Sequence, residues 1–306
     1  MKKVVRMMGL CALVALAFTS CKKNETNSNL TFKASMPQTV SNDRTVIDNN
    51  NFLRWSSGDK IKVLSEGVAE EFQIIGSEVG KKTAAFDATG KDDFLANLAN
   101  DRTYFAFYPN AVCNDTAATI TLSDQQLRTA TEDGPSFNTN TYPMFAFNTG
   151  DNFQFHSNAG LLRIQLRKTR TSTNDVKVDS IELISKDQND QLVGDMTYTT
   201  DYVLNPATRL NVENSSNQVT LTCEVPEELV SGTQSNPTFQ FDFVLFEGAL
   251  QGGFYVKVRN ENGQLIGNFE ANPSSGDSAD ALNHTILKEE IIVMPVKEID
   301  GTIIPE

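Results

Sequence analysis

The chain has 306 residues, a formal net charge of −13 and a hydrophobic share of 39%. An excess of acidic side chains this large gives no net attraction for phosphate backbones or anionic lipid head groups, which argues against nucleic acid as a partner. The length exceeds what one β-sandwich usually holds and is enough to bury two hydrophobic cores.

The first twenty residues have the composition of a signal peptide. Lys2, Lys3 and Arg6 precede an apolar run over residues 9–18. This run is too short to cross a hydrocarbon layer, which takes about 20 residues, and is typical of a targeting segment removed on export. We therefore expect residues 1–20 to be cleaved, which takes away three of the 26 basic side chains and none of the 39 acidic ones and leaves a formal charge of −16.

The end of this segment resembles a lipobox. Phe18-Thr19-Ser20 precede Cys21, whose thiol would be diacylated after cleavage. Several acyl chains, at about 0.8 kcal/mol per buried methylene, anchor a protein stably. The alternative is an ordinary signal peptide with an incidental cysteine. A polar, asparagine-rich stretch begins directly after Cys21, so we expect residues 21–29 to form a lipidated flexible tether.

Strand patterns begin directly after the tether. Apolar and polar residues alternate over residues 30–35, 61–63 and 72–74, and an aromatic run over residues 103–108 stops at a proline. An alternation with a period of two predicts half-buried strands, and a continuous apolar run predicts a fully buried one.

The second half continues with strands and few helix signals. Asn262-Gly263 separates two alternating runs, and this dipeptide supplies the positive φ angles of a tight hairpin turn. Helix patterns are confined to residues 91–100 and 278–282. Strands are predicted over residues 153–155, 161–166, 178–185, 218–225, 238–246, 254–258, 265–270 and 285–294.

Short strands with frequent turns predict an all-β fold of two β-sandwich domains in tandem. We place the join near Gly150, in a polar stretch between Phe147 and Phe153. The predicted N-terminal sandwich covers residues 30–150 and the C-terminal sandwich covers residues 151–306.

Cys113 and Cys223 are the cysteines that remain after export and lipidation. They are placed in different predicted domains, so a disulfide between them would need a direct domain contact. Cys223 lies on the apolar side of the alternation over residues 218–225. This position predicts a buried free thiol.

The sequence offers little catalytic chemistry. Its two histidines, His156 and His284, lie far apart in the chain, and the HExxH, GxSxG, P-loop and GxGxxG signatures are absent. A hydrogen-bonded structural role is expected for His156. Asp187, Asn189 and Asp190 share a loop without the EF-hand spacing, and turn chemistry accounts for them. We expect no enzyme activity, no metal and no cofactor.

Three segments of the first half form a pattern more specific than any of them alone. Residues 55–63 read WSSGDKIKV, residues 104–109 read YFAFYP and residues 142–146 read YPMFA. In this order they resemble the fimbrillin family, the lipoprotein subunits of type V pili. The resemblance is clear over about residues 55–166 and looser toward the C-terminus.

Five residues carry the pattern: Trp55, Gly58, Asp59, Tyr108 and Pro109. Their physical interpretation is structural. The indole of the only tryptophan can cap a sandwich core, the acidic side chain can tie the turn that enters the next strand, and the aromatic run can supply large buried side chains. The pattern therefore indicates a fold rather than a binding site.

The resemblance implies two transthyretin-like, Greek-key β-sandwich domains in a lipoprotein delivered to the outer membrane. It also implies that a protease cuts after an arginine near the N-terminus, that the first strand is lost, and that the exposed groove accepts a strand from the next subunit. Arg44 is our candidate cleavage site. Arg54 is less favoured, because cleavage there would sever Trp55 from the preceding chain. The alternative is that Arg44 is a plain loop arginine.

The leading hypothesis is a structural or tip subunit of a type V pilus, or fimbrium, assembled at the cell surface by strand exchange for cell adhesion. Its partners would be other pilin subunits in a homo- or hetero-polymer, with a host or glycan ligand as a further candidate. The alternative is a non-polymerising surface lipoprotein that binds a glycan or a host molecule. That alternative predicts exposed aromatic platforms, for which Tyr198, Tyr202 and Tyr255 are the candidates in the second half.

Overall fold

The computed structural model describes residues 31–37, 53–91, 94, 103–129, 136–137, 141–204, 210, 212–231, 237–272 and 285–306. Nearly all regular structure in these ranges is β-strand, which confirms the all-β prediction. The predicted signal peptide, Cys21, the tether, Arg44 and His284 lie outside the described residues. Across the described ranges, none of the helices has the length and apolar character needed to span a bilayer.

Within the described residues the strands form four sheets, a 3-10 helix covers Gly76–Glu78, and a short α-helix, α1 (Thr200–Leu204), follows the strand that ends at Thr199. In chain order the strands are β1 (Thr31–Ser35), β2 (Lys60–Ser65), β3 (Val68–Ile74), β4 (Thr83–Asp87), β5 (Tyr104–Tyr108), β6 (Val112–Cys113), β7 (Ala117–Leu122), β8 (Gln125–Thr129), β9 (Ser136–Phe137), β10 (Met144–Asn148), β11 (Asn152–Gln154), β12 (Ala159–Lys168), β13 (Lys177–Ser185), β14 (Val193–Thr199), β15 (Val212–Ser216), β16 (Gln218–Glu228), β17 (Phe239–Phe246), β18 (Phe254–Arg259), β19 (Leu265–Ala271), β20 (Ile291–Val293) and β21 (Lys297–Ile299).

The first sheet closes on itself. Its strand order is β10-β5-β2-β3-β4-β1-β11. Just beyond β11, His156 exchanges both backbone hydrogen bonds with Phe145 of β10, each at 2.8 Å. The two ends of the sheet are therefore joined, and we call this sheet the ring. Closure removes the exposed strand edges that an open sheet presents to other chains.

Alternation of apolar and polar residues decides which side chains enter the ring. In β1 the Phe32 and Ala34 side chains are buried, whereas Lys33 between them is exposed. β5 is buried at every position, as its unbroken aromatic run predicts. The largest fully buried side chains of the ring are Phe32, Trp55, Phe72, Phe86, Phe107, Tyr108, Phe153 and Phe155.

The other three sheets draw on the rest of the chain. One has the order β17-β12-β20 with β21 also paired to β12, a second has the order β19-β18-β13-β16-β8-β9, and a third has the order β15-β14-β7-β6. Three strand pairs within these sheets are parallel: β8 with β16, β20 with β12, and β21 with β12. Parallel pairing of distant strands has no local turn signal, so the sequence did not indicate it.

Within the described residues, three of the four sheets combine strands from both sides of the proposed join near Gly150. Before Gly150, β7 pairs with β14 and β8 pairs with β16, which both follow it, while β6 and β9 extend these sheets by pairing with β7 and β8. After Gly150, β11 pairs with β1. The division into two tandem sandwiches, residues 30–150 and 151–306, stays a prediction.

The C-terminal strand is shorter than the one predicted over residues 285–294. β20 covers only Ile291–Val293, because the preceding residues turn over β12. A Cβ added at Gly160 would meet the carbonyl oxygen of Leu287 at 2.1 Å, and Glu289 has a φ of 59°. The turn at residues 287–290 therefore lies directly against the backbone of β12, which leaves no room for an extended strand there.

Gly160→Ala is expected to destabilise the protein by about 1–3 kcal/mol, because the new methyl group would push the turn off β12. Urea unfolding followed by Trp55 fluorescence measures this change. Gly76→Ala is the matched control, since a Cβ there has no heavy atom within 4 Å. Equal stability of the two variants would contradict the packing described for Gly160.

Candidate functional site

The candidate site is the place that β1 occupies in the ring. β1 runs antiparallel to β4, with Phe32 opposite Phe86 and Ala34 opposite Ala84. On its other side β1 runs parallel to β11, with Ala34 beside Phe153. β1 is therefore an interior strand whose backbone is hydrogen-bonded on both sides. We call the position that it fills the β1 groove.

Phe32 is buried among aromatic rings from three other strands. Its ring centroid lies 4.9 Å from that of Phe72 in an edge-to-face arrangement, 5.3 Å from that of Phe153 and 6.1 Å from that of Tyr104. Aromatic pairs at these separations add about 0.5–1.5 kcal/mol each to the stabilisation from burial. Phe32 is consequently the main apolar anchor of β1.

Trp55 connects the body of the ring to the backbone of β1. Its indole N–H donates a buried hydrogen bond of 2.9 Å to the carbonyl oxygen of Ala34. Its ring meets Phe86 at 4.9 Å, Tyr108 at 5.3 Å and Phe155 at 5.7 Å, each edge to face. The indole is therefore held in one orientation by neighbours on three sides and has its only polar atom satisfied by β1.

A buried carboxylate fixes the turn that follows Trp55. Asp59 is 1% exposed, accepts a hydrogen bond of 2.6 Å from the Ser56 backbone N–H and accepts one of 2.9 Å from the Tyr108 hydroxyl. Gly58 has a φ of 84°, which glycine adopts without strain, and so allows the turn. Burial raises the pKa of Asp59, and the two hydrogen bonds oppose this rise.

The structure brings together four of the residues that the sequence pattern names, Trp55, Gly58, Asp59 and Tyr108, and Pro109 follows at the end of β5 through a cis peptide bond. All five serve the ring core beside the β1 groove. Sequence reasoning missed Ala34, whose small side chain and carbonyl complete the site. The alternation around Phe32 showed that Ala34 is buried, but nothing in the sequence indicated that its neighbour is the indole.

The chain leaving β1 is tied to the ring at two backbone positions. The Met36 N–H donates to the Lys82 carbonyl oxygen at 3.0 Å, and the Gln154 side-chain amide donates to the Met36 carbonyl oxygen at 2.9 Å. The described chain resumes at Leu53, and the Arg54 guanidinium donates to the Gly80 carbonyl oxygen at 2.9 Å. Arg44 belongs to the connection between these points and is outside the described residues.

His156 has the hydrogen-bonded structural role predicted for it. Its Nδ1 atom lies 3.4 Å from an oxygen of Glu289, and the same oxygen accepts a hydrogen bond of 2.8 Å from the Ser157 N–H. The hydrogen bond to Glu289 raises the pKa of His156, although burial opposes the rise. The imidazole thus links the closure point of the ring to the turn that precedes β20.

The tyrosines that an aromatic binding platform would need are mostly buried. Tyr198 and Tyr202 pack with Phe145 at 5.0 and 6.0 Å between ring centroids, and the Tyr202 hydroxyl accepts a hydrogen bond of 2.5 Å from the Asn158 amide. Tyr255 is 40% exposed, with the Lys186 ammonium 5.1 Å from its ring centroid. Of the three tyrosines, Tyr255 alone faces solvent.

Both cysteines of the described chain are free. Cys223 is buried, which confirms the predicted buried thiol, and burial raises its pKa to about 11. Burial also raises the pKa of Cys113. A thiol that remains protonated at neutral pH is a poor nucleophile. The raised pKa values therefore disfavour the reactive thiolate form of both cysteines.

The acidic loop after β13 is held together by its own hydrogen bonds. Asp187 accepts a hydrogen bond of 2.9 Å from the Asn189 N–H, and Asp190 accepts bonds from the Ser185 hydroxyl at 2.9 Å and the Leu250 N–H at 2.7 Å. Among the described residues, no group of three or more histidine, cysteine, aspartate or glutamate side chains is arranged to hold a metal ion.

Comparison with known proteins gives structural likenesses only. No protein-family model and no curated protein matches the chain. A candidate cell adhesion protein from Bacteroides uniformis is 14% identical, with a TM-score of 0.47 and coverage of 88% of this chain and 93% of that one. One from Bacteroides ovatus is 13% identical, with a TM-score of 0.47 and coverage of 91% and 99%.

A third likeness is to the tip fimbrial protein Mfa3 from Porphyromonas gingivalis, solved with a C-terminal truncation. It is 10% identical, with a TM-score of 0.31 and coverage of 76% of this chain and 84% of that one. Identities and TM-scores as low as these carry no argument about the function of this chain.

Replacement of Asp59 tests the buried, hydrogen-bonded environment described for its carboxylate. A group whose pKa is raised on folding contributes stability that is fully present below its unfolded-state pKa and is lost as pH rises through its folded-state pKa. We therefore expect Asp59→Asn to gain stability relative to the wild type as pH rises from about 3 to 7. Urea unfolding of both proteins across this range measures the difference.

Asp87→Asn is the matched control with the opposite sign. Hydrogen bonds from the Thr89 hydroxyl and N–H lower the pKa of Asp87, so its carboxylate contributes stability above the unfolded-state pKa. This variant should lose stability relative to the wild type over the same pH rise. Parallel pH profiles for the two variants would contradict the environment described for Asp59.

Proposed function

We propose that this chain is an exported, lipid-anchored surface protein of the outer membrane that serves as a structural or tip subunit of an adhesive pilus. In this proposal neighbouring subunits are joined by strand exchange at the β1 groove. The observation that carries it is the position of β1, the first strand of the described chain, which lies between β4 and β11 in a ring closed at Phe145 and His156. The sequence resemblance to fimbrillins supports the same function.

Loss of β1 would create a strong and directional acceptor for another strand. β4 and β11 would each lose a line of backbone hydrogen bonds, and the pockets of Phe32 and Ala34 would open to water. Burying one large apolar side chain is worth about 1.5–3 kcal/mol, and the exposed backbone groups add a further cost. A strand from a second subunit would restore both the backbone hydrogen bonds and the apolar burial. This is the physical basis of strand addition.

The covalent connection of β1 to the rest of the ring favours a proteolytic trigger. β1 is joined to Trp55 only through the stretch that contains Arg44, the single basic residue of positions 38–53. Cleavage after Arg44 would leave β1 held by non-covalent contacts alone. Cleavage after Arg54 would also remove Leu53, which is buried, and would free the chain next to the indole.

The outer edge of β17 is covered by side chains rather than open for pairing. The outer edge of β17 is capped by Gln126, whose side-chain amide bonds both the N–H and the carbonyl of Val244, at 2.9 and 2.7 Å. Arg128 donates to the Gln240 carbonyl oxygen of the same edge at 3.2 Å. The opposite edge of that sheet is occupied by β20 and β21.

The polymer of this proposal can contain copies of this chain or different subunits, and an adhesive ligand on a host surface or a glycan is part of the same hypothesis. The alternative of a non-polymerising glycan-binding lipoprotein depends on Tyr255, since Tyr198 and Tyr202 are buried. A single exposed tyrosine side chain, with the Lys186 ammonium over it, is weak support for glycan binding. The β1 groove supports subunit assembly more strongly.

Limited trypsin digestion of the mature, lipid-free chain tests the proposal. We expect cleavage after Arg44, loss of β1 with the N-terminal fragment, and filaments or ladders of oligomers. Intact mass, N-terminal sequencing and electron microscopy report these three events. Arg44→Ala should remain uncut and monomeric.

Arg54→Ala is the matched control, because Arg54 is bonded to the Gly80 carbonyl and its loss should leave processing at Arg44 unchanged. A cleaved chain that stays monomeric would argue against a polymerising subunit. Cleavage and assembly of Arg44→Ala at the wild-type rate would show that another bond is the trigger.

A further inference from the structure

Ala34 and Ala84 are an unusual pair for the centre of an aromatic core. They are directly opposite each other on β1 and β4, and both are buried. The next inward pair along the same two strands is Phe32 and Phe86. Two alanine side chains fill less volume than the neighbouring pair of phenylalanines. Space therefore remains in the ring interior next to Ala34 and Ala84.

The indole of Trp55 reaches this level. Its N–H is bonded to the Ala34 carbonyl at 2.9 Å, and its ring packs on Phe86, which neighbours the small pair along β4. Tyr108 and Phe155 hold the other sides of the indole at 5.3 and 5.7 Å. A larger side chain on the strand at this level would need to displace the indole, and close-packed interiors resist such a shift.

We propose that Trp55 makes the β1 groove selective for strands with a small residue, alanine, glycine or serine, at the position of Ala34. This selectivity rests on the proposed function, in which the groove receives a strand from another subunit. The partner is an extended segment that runs antiparallel to β4 and carries a large apolar residue, a small residue and another apolar residue at alternate positions. Phe32, Ala34 and Met36 are the occupants that define this pattern.

The three inward positions differ in what they demand. The Phe32 pocket is formed by Phe72, Phe153 and Tyr104 and takes an aromatic or large aliphatic side chain. Met36 is buried just past the end of the strand. Lys33 is exposed, so the groove places no size limit on the residue between the first two pockets. The size limit on the incoming strand therefore falls mainly on the residue at the position of Ala34.

Amide hydrogen exchange of the full mature chain tests the steric basis of the selectivity. Ala34→Leu should speed exchange in β1 and β4 by at least about tenfold, because the strand can no longer seat against the indole. Lys33→Leu adds the same side chain at the adjacent exposed position and should leave exchange unchanged. Protection of β13 and β18 reports whether each variant has folded.

A double variant separates a specific clash from general damage. In Ala34→Leu/Trp55→Ala the leucine gains the space of the indole, so β1 should be better protected than the sum of the two single effects predicts. Such coupling is expected for residues in direct contact and not for independent ones. Additive effects of the two substitutions, or full protection of β1 in Ala34→Leu, would overturn the proposal.

Competition between peptides tests the selectivity with wild-type protein. The mature chain, cleaved after Arg44 and separated from the N-terminal fragment that carries β1, is mixed with labelled peptides of residues 30–37, LTFKASMP, in the natural form, the Ala34→Leu form and the Lys33→Leu form. Capture of the natural and Lys33→Leu peptides, with at least about tenfold weaker capture of the Ala34→Leu peptide, is the expected result.

Equal capture of all three peptides would overturn the selectivity while leaving strand exchange standing. Capture of none of them would overturn strand exchange at this groove, and the selectivity with it. The two failures are therefore distinguishable in a single experiment.

Discussion

The hydrogen bond between the Trp55 indole and the Ala34 carbonyl joins β1 to the aromatic core of the ring. One side of this bond is a cluster of aromatic side chains, and the other is the backbone of a strand at the N-terminal end of the described chain. Because the ring is closed, β1 is as much a part of its core as the strands that come later in the chain. The stability of the ring is therefore coupled to the seating of a single short strand.

The strand exchange proposed for β1 would involve the hydrogen bonds of one sheet only. Its hydrogen-bonded partners are β4 and β11, which both belong to the ring, and the three remaining sheets contain no part of it. The other sheets have their own internal links, such as the buried pair of Arg163 and Asp242, joined by two hydrogen bonds of 2.7 and 2.8 Å.

Polar side chains in this molecule serve mainly to hold its backbone in place. Asp59 ties a turn, Asp190 ties a loop to Leu250, and Gln126 caps the edge of β17 with both ends of its amide. Each of these side chains fixes the position of a backbone segment.

The sequence by itself determined the all-β class, the buried aromatic strand before Pro109, the turn at Gly58 and Asp59, and the buried thiol of Cys223, because side-chain periodicity and turn chemistry are local properties. Only the tertiary structure decided that His156 closes the ring, that strands on both sides of Gly150 share sheets, and that Ala34 meets Trp55. Periodicity establishes which face of a strand is buried, but the choice of neighbour depends on contacts between distant residues that no local pattern records.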